Sequence, residues 1–187
     1  MRDGTATRER IEQTAMGLFV SQGVAETTIR DIAQGAGVAE GALYRHYPGK
    51  DELIHALFSR HYADFARRLA RAHAPYAATR DKLAAMIKEC CRAFDEERVL
   101  FCFLLLTQHH SIERIEGPET PVEVVRAVIA GGMERGEIAE GDADFATGLV
   151  MGIILQTATF MTYGRLHGAM LPLAARLTSA CWKVLQA

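Results

Sequence analysis

No Gly-x-Ser-x-Gly, P-loop or HExxH motif occurs in the 187 residues, and no stretch alternates apolar and polar residues as a half-buried strand does. Those absences remove the common hydrolase, nucleotide-binding and zinc-protease readings, and no enzyme activity is expected. Four cysteines stand at Cys90, Cys91, Cys102 and Cys181 without a CxxC pair. Cys90 and Cys91 are adjacent, so on a helix they point about 100° apart and chelate poorly. They read as small buried apolar residues, and neither metal nor cofactor is expected. Arg2, Asp3, Arg8, Glu9, Arg10 and Glu12 leave no apolar core near the start, so no leader peptide is expected and the chain reads as cytoplasmic. Repeats and low-complexity tracts are absent too.

An excess of basic charge is also missing. The net charge is −2. Within residues 1–50, Arg2, Arg8, Arg10, Arg30, Arg45 and Lys50 are balanced by Asp3, Glu9, Glu12, Glu26, Asp31 and Glu40. The balance argues against a generally basic nucleic-acid binder, so any DNA contact has to rest on a few well-placed groups.

What is present is helical periodicity. Between Ile29 and Lys50, apolar residues recur at helical spacing (Ile32, Ala33, Ala36), break at Gly37, and resume with Val38, Ala42 and Leu43. Two short helices around a glycine-bearing turn are the sequence form of a helix-turn-helix. Gly37 can reverse the chain because it tolerates positive φ. Leu43 plugs the second helix onto the first, which leaves Ala39, Glu40, Gly41, Tyr44 and Arg45 facing out. Tyr44 and Tyr47 flank His46, and a Pro-Gly turn leads to Lys50. Such a surface suits a DNA groove flanked by phosphates. An ordinary helical hairpin ended by Gly37 would share the core pattern.

Upstream, Ile11, Ala15, Leu18 and Phe19 predict a helix over Thr7–Gly23. Thr28 with Asp31 is close to a capping box, and the amides it caps would also suit a phosphate. Downstream, Leu53, Leu57, Phe58, Tyr62, Phe65 and Leu69 predict a long helix to about Ala74. It would span about 36 Å. Its Arg67, Arg68 and Arg71 read as a solvated face. Further helices are predicted over about Thr79–Glu97, Val99–Ile112, Pro121–Arg135, Asp144–His167 and Leu171–Leu185. Gly131, Gly132 and Gly136 weaken the third of these or allow a close approach. The fold is expected to be all-α, with about nine helices.

From Phe145 to Gly164 no charged residue occurs, long enough to span a bilayer. The stretch carries Gln156 and several threonines and has no comparable second span. A helix buried on two faces, against its own domain and another subunit, fits better. Ile154 is the position where a charge is expected to open such a dimer.

The residues TIRDIA, Gly37-Val38, Gly41-Ala42-Leu43-Tyr44, the aromatic pair around His46, and Lys50 resemble the head of the tetracycline-repressor-like (TetR) family of bacterial transcription regulators. The specific resemblance covers about Thr7–Leu57. It implies a three-helix helix-turn-helix head over 1–49, and a connector with a ligand-binding and dimerisation domain over 50–187. It also implies a homodimer through the last two long helices and a recognition helix, Ala39–His46, in the major groove of a palindromic operator. Carried over, Thr28, Tyr44, His46, Tyr47 and Lys50 would contact phosphates or sugars. Ala39, Glu40, Gly41 and Arg45 would lie nearest base edges. Glu40 departs from the pattern, and Arg30 offsets its charge. A small, mostly apolar effector, held by Met86, Cys90, Phe101, Leu105, Gln108, His109, Val125, Gln156 and Phe160, would shift the long connector and release the DNA. The rival reading is a ligand-binding helical module, or a redox or pH sensor, whose DNA role is lost.

Overall fold

The computed structural model describes residues 2–107 and 120–187. Nine α-helices occur among the described residues: α1 Arg2–Gln22, α2 Ile29–Gly35, α3 Glu40–His46, α4 Lys50–His73, α5 Thr79–Glu96, α6 Arg98–Cys102, α7 Pro121–Glu134, α8 Ala143–Thr162 and α9 Ala174–Leu185. No strand occurs among these residues, as the sequence predicts. They pack as two compact units, one of 2–61 with 99–107 and one of 62–98 with 120–187. The head unit thus takes in the first half of α4 as well as α1–α3.

In the first unit α1 begins five residues earlier than its apolar stripe predicts. Ile11, Phe19, Ile32, Leu43, Leu53 and Leu57 are fully buried. Phe103 stacks on Phe19, with centroids 6.0 Å apart, and meets Phe58 edge-on at 6.2 Å. Such aromatic pairs add about 0.5–1.5 kcal/mol each beyond area burial. Phe103 sits in a π-helical turn, Phe103–Thr107, where one uninterrupted helix is predicted. Gln108 to Ile112, the remainder of that predicted helix, lies outside the described residues.

A helix of seven residues is too short to hold itself, so α2 and α3 depend on their ends. At the start of α2 the capping box is complete: the Thr28 hydroxyl accepts from the Asp31 amide, and the Asp31 carboxylate accepts from the Thr28 amide at 2.9 Å. At its end Gly37 takes φ +64°. The Gly37 amide then donates to Gln34 and the Val38 amide to Ala33, which closes a Schellman turn. That turn aims α3 across α2.

In the second unit the stripes of α5, α7, α8 and α9 converge on Leu83, Met86, Phe94, Ile129, Val150, Ile154 and Cys181, all buried. Arg68 is no solvated cation: it donates to Glu89 at 2.9 Å and to Glu97 at 2.8 Å, tying α4 to α5. The Asp95 carboxylate accepts the Met170 and Leu171 amides, both at 2.8 Å, and so seats the chain entering α9. α8 ends at Thr162, short of His167, because Gly164 at φ +69° completes a Schellman turn with the Arg165 amide donating to Phe160. Ile154 is 3% exposed, so it belongs to the protomer core and cannot report on a dimer. The outward face of α8 carries Phe145, Leu149 and Phe160 instead, and α8 is also long and apolar enough to cross a membrane.

Candidate nucleic-acid interface

α3 is held by one plug. Leu43 is fully buried, while Ala39, Glu40, Gly41, Tyr44 and Arg45 are exposed and His46 is half-buried. Thr28 and Arg30 at the start of α2 are exposed as well. These residues sit on the outer side of a two-helix unit, with Arg45 and His46 in the last turn of α3, where the helix dipole favours cations. A Cβ added to Gly41 would meet nothing within 4 Å, so packing within the unit does not demand glycine there.

Two of the expected phosphate contacts are engaged inside the head. Tyr47 is only 4% exposed, and its hydroxyl donates to the Glu12 carboxylate. Lys50 Nζ donates to the carbonyls of Val24 at 2.8 Å and Thr27 at 2.9 Å, pinning the start of α4 to the loop before α2. The sequence shows an aromatic and a cation beside the recognition helix. It does not show that a buried carboxylate and a row of loop carbonyls are waiting for them.

Glu12 is the centre of that junction. Arg8 Nε donates to it at 2.9 Å and also to the Tyr47 oxygen at 3.0 Å, and Arg60 from α4 spans both carboxylate oxygens. Burial alone would raise the Glu12 pKa. The hydrogen bonds from Arg60, Tyr47 and Arg8 overcome it and hold the carboxyl at about 2. α1, the C-terminal cap of α3 and α4 are thereby joined through one carboxylate. Arg8 and Glu12 are visible in the sequence as an i, i+4 pair, but Arg60 lies 48 positions further on, with no local signal to link it.

The expected effector residues fall in separate places. Met86, Cys90 and Val125 are buried in the second unit. Phe101 and Leu105 are buried in the first. Gln156 and Phe160 are exposed on α8. Gln108 and His109 lie outside the described residues. Burial pushes the thiols of Cys90, Cys91 and Cys181 up to about 12, 11 and 11, which makes them poor nucleophiles and argues against redox sensing.

Residues 11–57 match the family model described as bacterial regulatory proteins, tetR family. The HTH-type transcriptional regulator SrpR of Pseudomonas putida is 45% identical over 53 residues, 28% of this chain and 25% of that protein. The match therefore spans only about a quarter of that relative's length. The fatty acid metabolism regulator protein of Bacillus subtilis is 26% identical over 156 residues, covering 80% of each chain. Among solved structures, the transcriptional regulator FadR from Bacillus subtilis, in complex with stearoyl-CoA, superposes with a TM-score of 0.81. It is 21% identical and the alignment covers 94% of this chain and 98% of that one, so the shared architecture extends well beyond the head. The helix-turn-helix geometry and the match over residues 11–57 make this head similar to that of the tetR family of bacterial regulatory proteins, and the fold of the whole chain is shared with FadR.

Proposed function

We propose that the protein is a ligand-responsive, DNA-binding transcriptional repressor that acts as a cytoplasmic homodimer and leaves a palindromic operator when a small, mostly apolar molecule binds. The observation that carries this reading is the outer face of α3. Its only buried side chain is Leu43, and its exposed residues face away from the core of the head. The head, 1–49, grips DNA, and 50–187 carries the effector and dimer functions. Arg45 is the base-reading candidate, with Glu40 accepting from a cytosine amino group, and Ala39 and Gly41 letting the groove wall approach. Thr28, Arg30, Tyr44 and His46 serve the backbone. Tyr47 and Lys50 act at one remove, by holding α3 and the loop before α2 in position. The stearoyl-CoA bound by the Bacillus subtilis protein supports an effector with a long apolar part.

The exposed Phe145, Leu149 and Phe160 on α8 and Val184 on α9 support a partner protomer over those helices. A second copy suits this surface better than lipid does, because the polar Arg176, Ser179 and Lys183 line a shallow groove on α9, the helix that carries Val184. A dimer places two recognition helices about 34–36 Å apart, one turn of DNA. α4 belongs to both units, so an effector that favours one tilt of it favours one spacing.

Fluorescence anisotropy on DNA from upstream of the protein's own gene tests the reading. Binding that weakens with salt and exceeds that to random duplex is expected. Equal binding to both at moderate salt overturns it. Leu149→Asp should give monomers on a sizing column and weaken operator binding; an unchanged elution volume removes α8 from the interface.

A further inference from the structure

A cleft of about 270 Å³ opens in the second unit between the C-terminal end of α4, the first turn of α5 and one face of α7. Its floor is apolar, with Ala70, Val124 and Val128. Its polar lining is basic throughout: His73, Lys82 and Arg135. No carboxylate lines it among the described residues.

The three basic groups are held differently. Arg135 is oriented from behind: it donates to Thr79 Oγ1 at 2.8 Å and pairs through Nε with Glu137. Its Nη1 lies over Gly131, where an added Cβ would come within 3.0 Å of it. An alanine there would push the guanidinium away by a few tenths of an ångström. Lys82 makes no salt bridge among the described residues. The Nδ1 of His73 is buried with no well-formed hydrogen bond beyond a contact to its own backbone, and burial followed by the Lys82 ammonium pushes that imidazole's pKa down. Lys82 is partly exposed, so its ammonium is free to meet an anion in the cleft, and the buried Nδ1 of His73 gains from any partner that reaches it.

We propose that this cleft binds the anionic head of the effector, a carboxylate or a phosphate ester, with Lys82 and Arg135 as the charge partners, His73 as a hydrogen-bond donor, and the first carbons of an apolar chain on the floor. This rests on the reading of the second unit as the effector domain, and it adds the charge that the apolar effector carries. Lys82 supplies a point charge, and the fork of Arg135 fixes the orientation.

Isothermal titration calorimetry of the full chain with octanoate, octyl phosphate and octanol tests it. Both anions should bind at least tenfold tighter than octanol, and whichever binds more tightly assigns the head as carboxylate or phosphate. Lys82→Met should lose most of that difference while Lys82→Arg keeps it. Gly131→Ala should weaken the anions several-fold by displacing the Arg135 guanidinium. Equal binding of octanol and the anions overturns the proposal, as does unchanged anion affinity in Lys82→Met or no heat with any probe. None of these measurements involves DNA. Loss of anion binding with intact operator binding therefore sinks the cleft alone, and anion binding without operator preference sinks the repressor reading alone.

Discussion

The first unit holds short helices by their ends, and the second holds long helices by their sides. α2 and α3 have seven residues each and rely on the Thr28–Asp31 box, the Gly37 turn, the Lys50 bonds to loop carbonyls and the Glu12 junction. α5 and α8 have 18 and 20 residues and rely on buried apolar stripes, with Arg68 and Asp95 as lateral ties. A side chain that caps a helix end must come from a few residue types at one place, whereas an apolar stripe accepts many arrangements.

Substitutions ranked by effect sharpen that contrast. Phe103→Ala removes the ring between Phe19 and Phe58 and should cost about 3–5 kcal/mol of head stability in denaturant melts. A loss below about 1 kcal/mol would mean that end-capping, and not this core, holds the unit. Glu12→Gln should cost about 2 kcal/mol at neutral pH, since a neutral amide receives the Arg8, Arg60 and Tyr47 bonds less strongly. Because the folded Glu12 pKa is depressed to about 2, its contribution is present above the ordinary glutamate range and fades as the pH falls through it. The gap between wild type and variant should therefore close from about pH 4.5 downward, and a pH-independent gap would contradict the charge argument.

Arg45→Ala should leave the melt unchanged and cost about 1–3 kcal/mol of preference for the operator over a variant sequence, read by competition anisotropy. Lys50→Ala should instead lower head stability and weaken every sequence together, because it frees the loop carbonyls of Val24 and Thr27. Thr28→Ala, the smallest of the set, should cost about 1 kcal/mol through the lost cap. A larger fall in DNA affinity than in stability would show that its hydroxyl also meets phosphate.

The all-α class, the turn at Gly37, the Thr28 cap and the outward set on α3 were legible because each is written within a few neighbouring residues. Long-range partners were not. Nothing near Tyr47 announces Glu12, and nothing near Lys82 announces Arg135 on another helix. Ile154 looked outward because its helix is apolar on both sides, so periodicity carries no sign for which side is inside. The periodicity runs on past the true end of α8 for a similar reason: Gly164 has the freedom to end a helix, and only its hydrogen bonds reveal that it does.

The Glu12 junction also bears on how the head meets a polyanion. Arg8 and Arg60 share the one Glu12 carboxylate there, leaving a single net positive charge, and Lys50 faces carbonyl oxygens. Few cations are left on the head to displace the sodium and potassium ions condensed on DNA. Each phosphate neutralised contributes a slope of about −0.9 in log affinity against log salt. This head should accordingly show a shallow salt slope, releasing few counterions on binding, and derive more of its selectivity from fit in the groove than from charge.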